Sequence, residues 1–134
     1  MARVRTRPTF RNIQVTDLMR YRLPLPGIVS ILHRISGALM FLLLPLTLWL
    51  FDLSLRSEIG YQQLRQAAEG WFVKVVLATL VWSLLHHLAA GVRYLLLDLD
   101  LGVDRAPARR SAWIVFAVSL PLAVWAALII FGVL

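Results

Sequence analysis

Residues 30–51 read SILHRISGALMFLLLPLTLWLF. No charged residue occurs from Ile35 to Phe51. With the turn from Ile28 to Arg34 added, the segment makes a helix long enough for a ~30 Å hydrocarbon layer, which takes about 20 residues. Two more runs follow. Val75 to Val92 is free of formal charge and closes at Arg93 and Asp98, and Ser111 to Leu134 is uncharged, with Trp113 near its start and Pro121 inside. A proline is tolerated there because neighbouring helices in a membrane re-satisfy the freed backbone groups. Between the first two runs, DLSLRSEIGYQQLRQAAEG (52–70) reads as a polar loop with a short surface helix around Tyr61 to Glu69. Trp71 and Phe72 then mark a membrane interface. The expected fold is an all-α membrane protein with three transmembrane helices, at about 28–52, 71–97 and 111–134. These spans form an anchor domain, 28–134, preceded by a basic arm, 1–27.

Composition supports the bilayer as solvent. The 134 residues are 60% hydrophobic with a mean hydropathy of +0.75, against about 45–50% apolar residues in an ordinary soluble domain. A chain this short holds one domain and cannot cover such a core with its own polar surface. Cysteine is absent. That removes disulfides, iron–sulfur ligation and a thiol nucleophile, and leaves histidine as the strong nitrogen ligand for a transition metal or haem.

The net charge of +7 is decided by placement. Arg3, Arg5, Arg7, Arg11, Arg20 and Arg22 precede the first run, and Arg105, Arg109 and Arg110 lie between the second and third. The intervening loop carries Arg56 and Arg65, with Lys74 just inside the second run. Alternating loops rich and poor in arginine are the positive-inside pattern, which places the amino terminus in the cytoplasm and the carboxyl terminus outside, across a bacterial inner membrane. The arm lacks the apolar stretch and cleavage site of a secretory signal. Its Arg and Ser/Thr content also fits a mitochondrial transit peptide, but it runs directly into Pro24 and Pro26, which suit the start of a helix. No basic patch with interleaved exposed aromatics points to nucleic acid.

Polar groups inside the spans carry the functional signal. Ser30, His33, Arg34 and Gly37 fall at i, i+3, i+4 and i+7 and share a helix face, which is expected to look inward, because charged groups in a span usually face a bundle interior, a cavity or a ligand. The alternative is an Arg34 that snorkels to the headgroups. In the second span Ser83, His87, Gly91, Tyr94 and Asp98 form one stripe, while His86 lies about 100° away with Thr79, Trp82, Ala90 and Arg93. His87 serves either as an interhelical hydrogen-bonding group or as a haem-iron ligand, with Gly91 leaving room for the porphyrin edge. In the second case His33, Arg34 and Arg93 are the propionate candidates, and Ser30 with Arg34 can bracket a carbonyl oxygen. His86 points elsewhere and His33 lies toward the end of another helix, so a second axial ligand is expected from a partner membrane chain. The three helices are then half of a haem-binding bundle.

Taken together, SILHRISG (30–37) and HLAAGVRYLLLD (87–98), preceded by RP (7–8) and YRLPLPG (21–27), resemble the cytochrome b large membrane anchors of succinate dehydrogenase, the cytochrome b556 type. The family pattern is approximately S-I-x-H-R-x-[ST]-G, followed some fifty residues on by H-x-x-x-G-x-R-H-x-x-x-D, and the likeness extends over nearly the whole chain. The resemblance implies that His87 is an axial ligand of haem b whose other ligand comes from the small anchor subunit. It further implies that Ser30 and Arg34 line the ubiquinone site and that His33 lies near a haem propionate. Asp98 is then structural or part of the quinone-side polar network. Tyr94 departs from the pattern, since many relatives carry histidine there, and a phenol still donates a hydrogen bond.

By the same resemblance, the chain has no catalytic residues of its own. It is the membrane part of succinate:quinone oxidoreductase, alongside a flavoprotein holding FAD and an iron–sulfur subunit holding the clusters, and the arginine-rich arm suits docking of those soluble subunits. Two alternatives stand beside this reading, the anchor of a fumarate reductase and a non-catalytic membrane scaffold. A single-chain anchor for two haems would need four axial histidines, and the chain has three.

Overall fold

The computed structural model describes residues 23–133. Among them it forms four helices and no strand: α1 (Leu25–Arg56), α2 (Glu58–Ala68), α3 (Trp71–Asp98) and α4 (Arg105–Phe131). The three long ones are long and apolar enough to cross a membrane. The expected arm, apart from its last residues, lies outside the described part.

Helix ends account for the differences from the sequence-based spans. The first helix begins at Leu25 because Pro24 is its extended N-cap and Pro26 sits in the first turn, where a missing N–H costs nothing. It therefore takes 25–27 from the expected arm. At its other end Asp52 does not stop it. Arg56 Nε donates to Asp52 Oδ2 at 2.7 Å, one turn on, and this i,i+4 pair carries the helix past the apolar run. The third span starts at Arg105 rather than 111, since Asp104 is an extended N-cap and Pro107 stands in the first turn, where no intrahelical donor is needed.

The polar segment after α1 is almost wholly helical. Ser57 is extended and its Oγ accepts the Gly60 N–H at 3.0 Å, capping α2. A Cβ on Gly60 would stand 2.8 Å from the Leu53 carbonyl oxygen, so glycine is what lets α2 fold back against the end of α1. In the turn joining α3 to α4, Asp100 and Gly102 have φ of 58° and 78°, a region that aspartate tolerates and glycine prefers.

The α3 helix is the centre of the bundle, packing most extensively on α4 and then on α1. Its late residues meet the early residues of both neighbours (His87 with His33, Arg93 with Ser111), so successive spans run antiparallel. Small side chains fill the seams. Ser36, Ser83, Ala90, Ala112 and Ser119 are fully buried beside Val29 and Val115, while Phe41, Leu42, Trp49, Leu88, Leu95 and Trp125 face outward. Small residues inside and large apolar ones outside is how helices associate in lipid, where close backbone approach and van der Waals contact replace the hydrophobic effect.

Candidate functional site

Three rings gather where α1 crosses the second half of α3. The His33 and His87 imidazoles are stacked, with centroids 4.0 Å apart and planes 12° from parallel. The Tyr94 ring lies 5.0 Å from His33 at 52°. Both α3 members belong to the polar stripe read from the sequence, and helical spacing brings them round to α1 together.

A backbone contact orients the His87 ring. Its Nδ1 lies 3.0 Å from the His33 carbonyl oxygen, which only accepts, so Nδ1 carries the proton and donates. Ser36 Oγ donates to the same carbonyl at 3.0 Å and stands 3.3 Å from His87 Nδ1. Among the described residues no partner meets His87 Nε2. An imidazole whose Nδ1–H is held by a backbone carbonyl has its ring orientation and tautomer set for metal ligation through the other nitrogen.

Two glycines make space for the stack. A Cβ on Gly37 would stand 2.8 Å from His87 Cε1, closer than any real Cβ contact, so the His87 ring lies directly over the α1 backbone. At Gly91 an added Cβ would meet His33 Nε2 at 3.7 Å. The room over Gly91, expected for a porphyrin edge, is occupied by His33, because the antiparallel crossing brings its ring down onto that turn. Ser36 and the close fit at Gly37 were not singled out from the sequence. A serine and a glycine beside a histidine, on a helix expected to meet another histidine, are the kind of small-residue signal that marks such a crossing.

Ser30 and Arg34 lie to one side of this group. The buried face of α1 contains Val29 and Ser36, and Arg34 stands about 140° round the helix from Val29. Arg34 is exposed and Ser30 half-buried. The four-residue stripe is thus split: His33 and Gly37 meet α3, whereas Arg34 turns to a face that neither α3 nor α4 covers. Asp98, at the end of α3, is exposed.

The other α3 histidine faces α4. His86 is completely buried, its Nδ1 3.4 Å from Ser119 Oγ and its ring flanked by Trp82 and Phe116 at centroid distances of 5.8 and 5.7 Å. Arg93 follows it on the same stripe. Its Nε donates to Ser111 Oγ at 3.0 Å and its Nη2 to the Ala108 carbonyl at 3.3 Å, and the guanidinium carbon is 5.4 Å from the Tyr94 ring centroid. Arg93 is therefore turned onto α4 and separated from His87 by about 120° of helix rotation. Of the three propionate candidates, only His33 touches the His87 ring.

A model of the succinate dehydrogenase/fumarate reductase transmembrane subunit matches residues 6–129. The chain belongs to this family. The succinate dehydrogenase cytochrome b556 subunit of Coxiella burnetii is 36% identical over 105 residues, covering 77% of this chain and 83% of that protein. The protein of the same name from Paracoccus denitrificans is 30% identical over 125 residues, 93% of this chain and 92% of its own length. That from Rickettsia prowazekii is 28% identical over 116 residues, 87% and 86% of the two chains. Membership makes this chain a multi-pass membrane anchor of the succinate dehydrogenase type, one subunit of an enzyme complex.

The residues present fit the haem that the relatives' cytochrome name implies. His87 offers one oriented nitrogen, and among the described residues no three His, Cys, Asp or Glu side chains converge on a metal ion. A metal at His87 would thus be one held mainly by ligands of its own, as porphyrin holds iron.

Proposed function

We propose that this chain is the haem b-binding anchor of a succinate:quinone oxidoreductase and forms part of its ubiquinone-reduction site. The observation that carries the reading is the His87 imidazole, tied through Nδ1–H to the His33 carbonyl with Nε2 left unpaired over Gly37. His86 also has a free nitrogen, but it is fully buried, whereas the half-buried His87 ring lies at a seam that a partner chain can reach. His87 Nε2 would hold the haem iron from this chain, with a histidine of the small anchor subunit as its other protein ligand. Haem b, when bound, supplies a one-electron carrier between the two anchor chains. His33, lying face to face with His87, is positioned for a propionate.

The quinone falls to Arg34 and Ser30. Arg34 is exposed and Ser30 only half-buried within this chain, as suits a surface shared with the iron–sulfur and small anchor subunits. The Arg34 guanidinium and Ser30 hydroxyl donate to a quinone carbonyl and stabilise the negative charge that grows on it as electrons arrive. Fixed donors of this kind act most strongly where water is excluded. Protons enter from the cytoplasmic side, where the arginine-rich arm meets the soluble subunits holding FAD and the iron–sulfur clusters. The membrane is the bacterial inner membrane, with the amino terminus in the cytoplasm. The curated relatives named above are all succinate dehydrogenase subunits, which favours succinate oxidation over fumarate reduction.

A reduced-minus-oxidised visible spectrum of the purified complex tests the reading. A b-type band that disappears or shifts in His87→Leu is expected. A complex without a haem band would leave a scaffold, and a band unchanged in His87→Leu would move the ligand to another residue.

A further inference from the structure

Three hydroxyls of α1 donate to carbonyls of their own helix. Thr47 Oγ1 bonds the Leu43 carbonyl at 2.9 Å and Ser54 Oγ the Phe51 carbonyl at 2.6 Å, and neither reaches another helix. Ser36 donates to the His33 carbonyl at 3.0 Å in the same way, but its oxygen also stands 3.3 Å from Nδ1 of His87 on α3. Bonding back to the preceding turn is ordinary for a serine in an apolar helix. The second contact, across the seam, is not, and Ser36 is fully buried where it makes it.

The same arrangement recurs on the other side of α3. Ser111 Oγ donates to the Ala108 carbonyl at 3.1 Å, three residues back. Arg93 donates to both oxygens, Nε to the hydroxyl at 3.0 Å and Nη2 to the carbonyl at 3.3 Å. A guanidinium has no acceptor and a hydroxyl has one proton, so Ser111 gives its proton to the carbonyl and receives the arginine on a lone pair. Ser36 stands between the His33 carbonyl and His87 as Ser111 stands between the Ala108 carbonyl and Arg93. Its proton is likewise engaged by the carbonyl, and the His87 Nδ1–H is shared between the His33 oxygen at 3.0 Å and Ser36 Oγ at 3.3 Å. In each seam, one turn of a neighbouring helix presents a fork of two oxygens to a single side chain of α3.

A fork restrains what a single acceptor does not. The directional preference at a carbonyl oxygen is broad, so a ring tied by one N–H bond can rock about it, and rocking swings Nε2 on the far side of the imidazole. A second oxygen off that axis opposes the swing. The α1 backbone adds a wall, since a Cβ on Gly37 would stand 2.8 Å from His87 Cε1. Size alone does not call for serine here, because Ala90 and Ala112 fill equally buried places in the bundle. We propose that Ser36 is a positioning residue for His87, its hydroxyl, anchored on the His33 carbonyl, setting the direction in which Nε2 points. This role rests on the assignment of His87 to haem iron. Outer partners that orient a ligating histidine govern how tightly it holds its metal.

The test compares Ser36→Ala with wild type in the whole complex, purified with its partner subunits. Two quantities are read: the g values of the ferric haem, which report how its axial imidazoles are set, and the rate of haem loss to excess apomyoglobin. Ser36→Ala is expected to move the largest g value and to speed haem loss about tenfold, the lower end of the effect of an outer partner of a ligating histidine. Ser111→Ala removes the equivalent hydroxyl from the α3–α4 fork and should change neither. Unchanged g values and haem loss in Ser36→Ala, or equal changes in both variants, would overturn the proposal. So would a lowered melting temperature of Ser36→Ala with unaltered g values, which would make Ser36 a packing residue. His87→Leu separates the two assignments. A haem band that survives it removes His87 as ligand and the role of Ser36 with it, whereas a band lost there beside g values untouched in Ser36→Ala refutes the role of Ser36 alone.

Discussion

Two adjacent histidines of one helix have opposite fates. His87 faces α1, half-buried, with one nitrogen held by a backbone carbonyl and the other unpaired. His86 faces α4 and is wholly buried against Ser119, Trp82 and Phe116, its Nε2 also without a partner among the described residues. A free nitrogen is therefore not enough to mark a ligand. The difference is access: the His87 ring lies at the rim of a seam that a second chain can close, whereas the His86 ring is sealed between two helices of its own chain. One-residue steps of about 100° put neighbouring side chains on different seams, so a single helix can carry a binding face and a structural face.

The variants that separate these faces differ widely in expected effect. His87→Leu should abolish or shift the haem band altogether, while His86→Leu should leave it in place, and an equal loss in both would erase the distinction between the seams. Arg34→Leu comes next. Losing one preorganised donor to a developing oxyanion costs about 10²–10³ in rate, so quinone reduction should fall to that extent while succinate oxidation with a soluble dye continues. Parallel loss of both activities would make Arg34 a structural residue instead. Gly37→Ala is smaller. The added methyl would stand 2.8 Å from His87 Cε1, and overpacking of this kind costs about 1–3 kcal/mol. It should broaden or shift the haem band and lower haem occupancy without preventing assembly, and an unaltered spectrum would show that the ring moves freely aside.

The three spans were legible in the sequence because uncharged apolar runs of 17 to 24 residues have few other uses in water. The stripe pairing His86 with Ala90 and Arg93 was legible too, since helical periodicity survives any packing partner. What periodicity could not supply was the width of the buried face. Ser30 and Arg34 share a stripe with His33 by spacing, but α1 is covered on one side, around Val29 and Ser36, and the arginine falls outside it. Helix ends were hidden for a different reason. Asp52 and the segment RAPARR look like loop by hydropathy, and an i,i+4 ion pair and a proline-bearing first turn after an extended Asp104 keep them helical. The tautomer of His87 lay beyond any sequence pattern, because its partner is a main-chain carbonyl 54 residues away.

The smallest expected effect is the most exacting for the comparison. His86→Leu replaces a ring of similar volume whose one side-chain hydrogen bond is long, 3.4 Å to Ser119 Oγ, and which otherwise packs against Trp82, Phe116 and the Val29 backbone of α1. Removing one partner is costly only if the other is left unsatisfied, and the hydroxyl of Ser119 can turn to the carbonyl one turn back along its own helix. Interhelical hydrogen bonds in membrane bundles average about 0.6 kcal/mol, so thermal stability of the purified complex should change by less than about 1 kcal/mol in either direction. A much larger destabilisation would mean that His86 is paired with something the chain alone does not contain, and the α3–α4 seam would then no longer be the closed, self-sufficient counterpart of the α1–α3 seam.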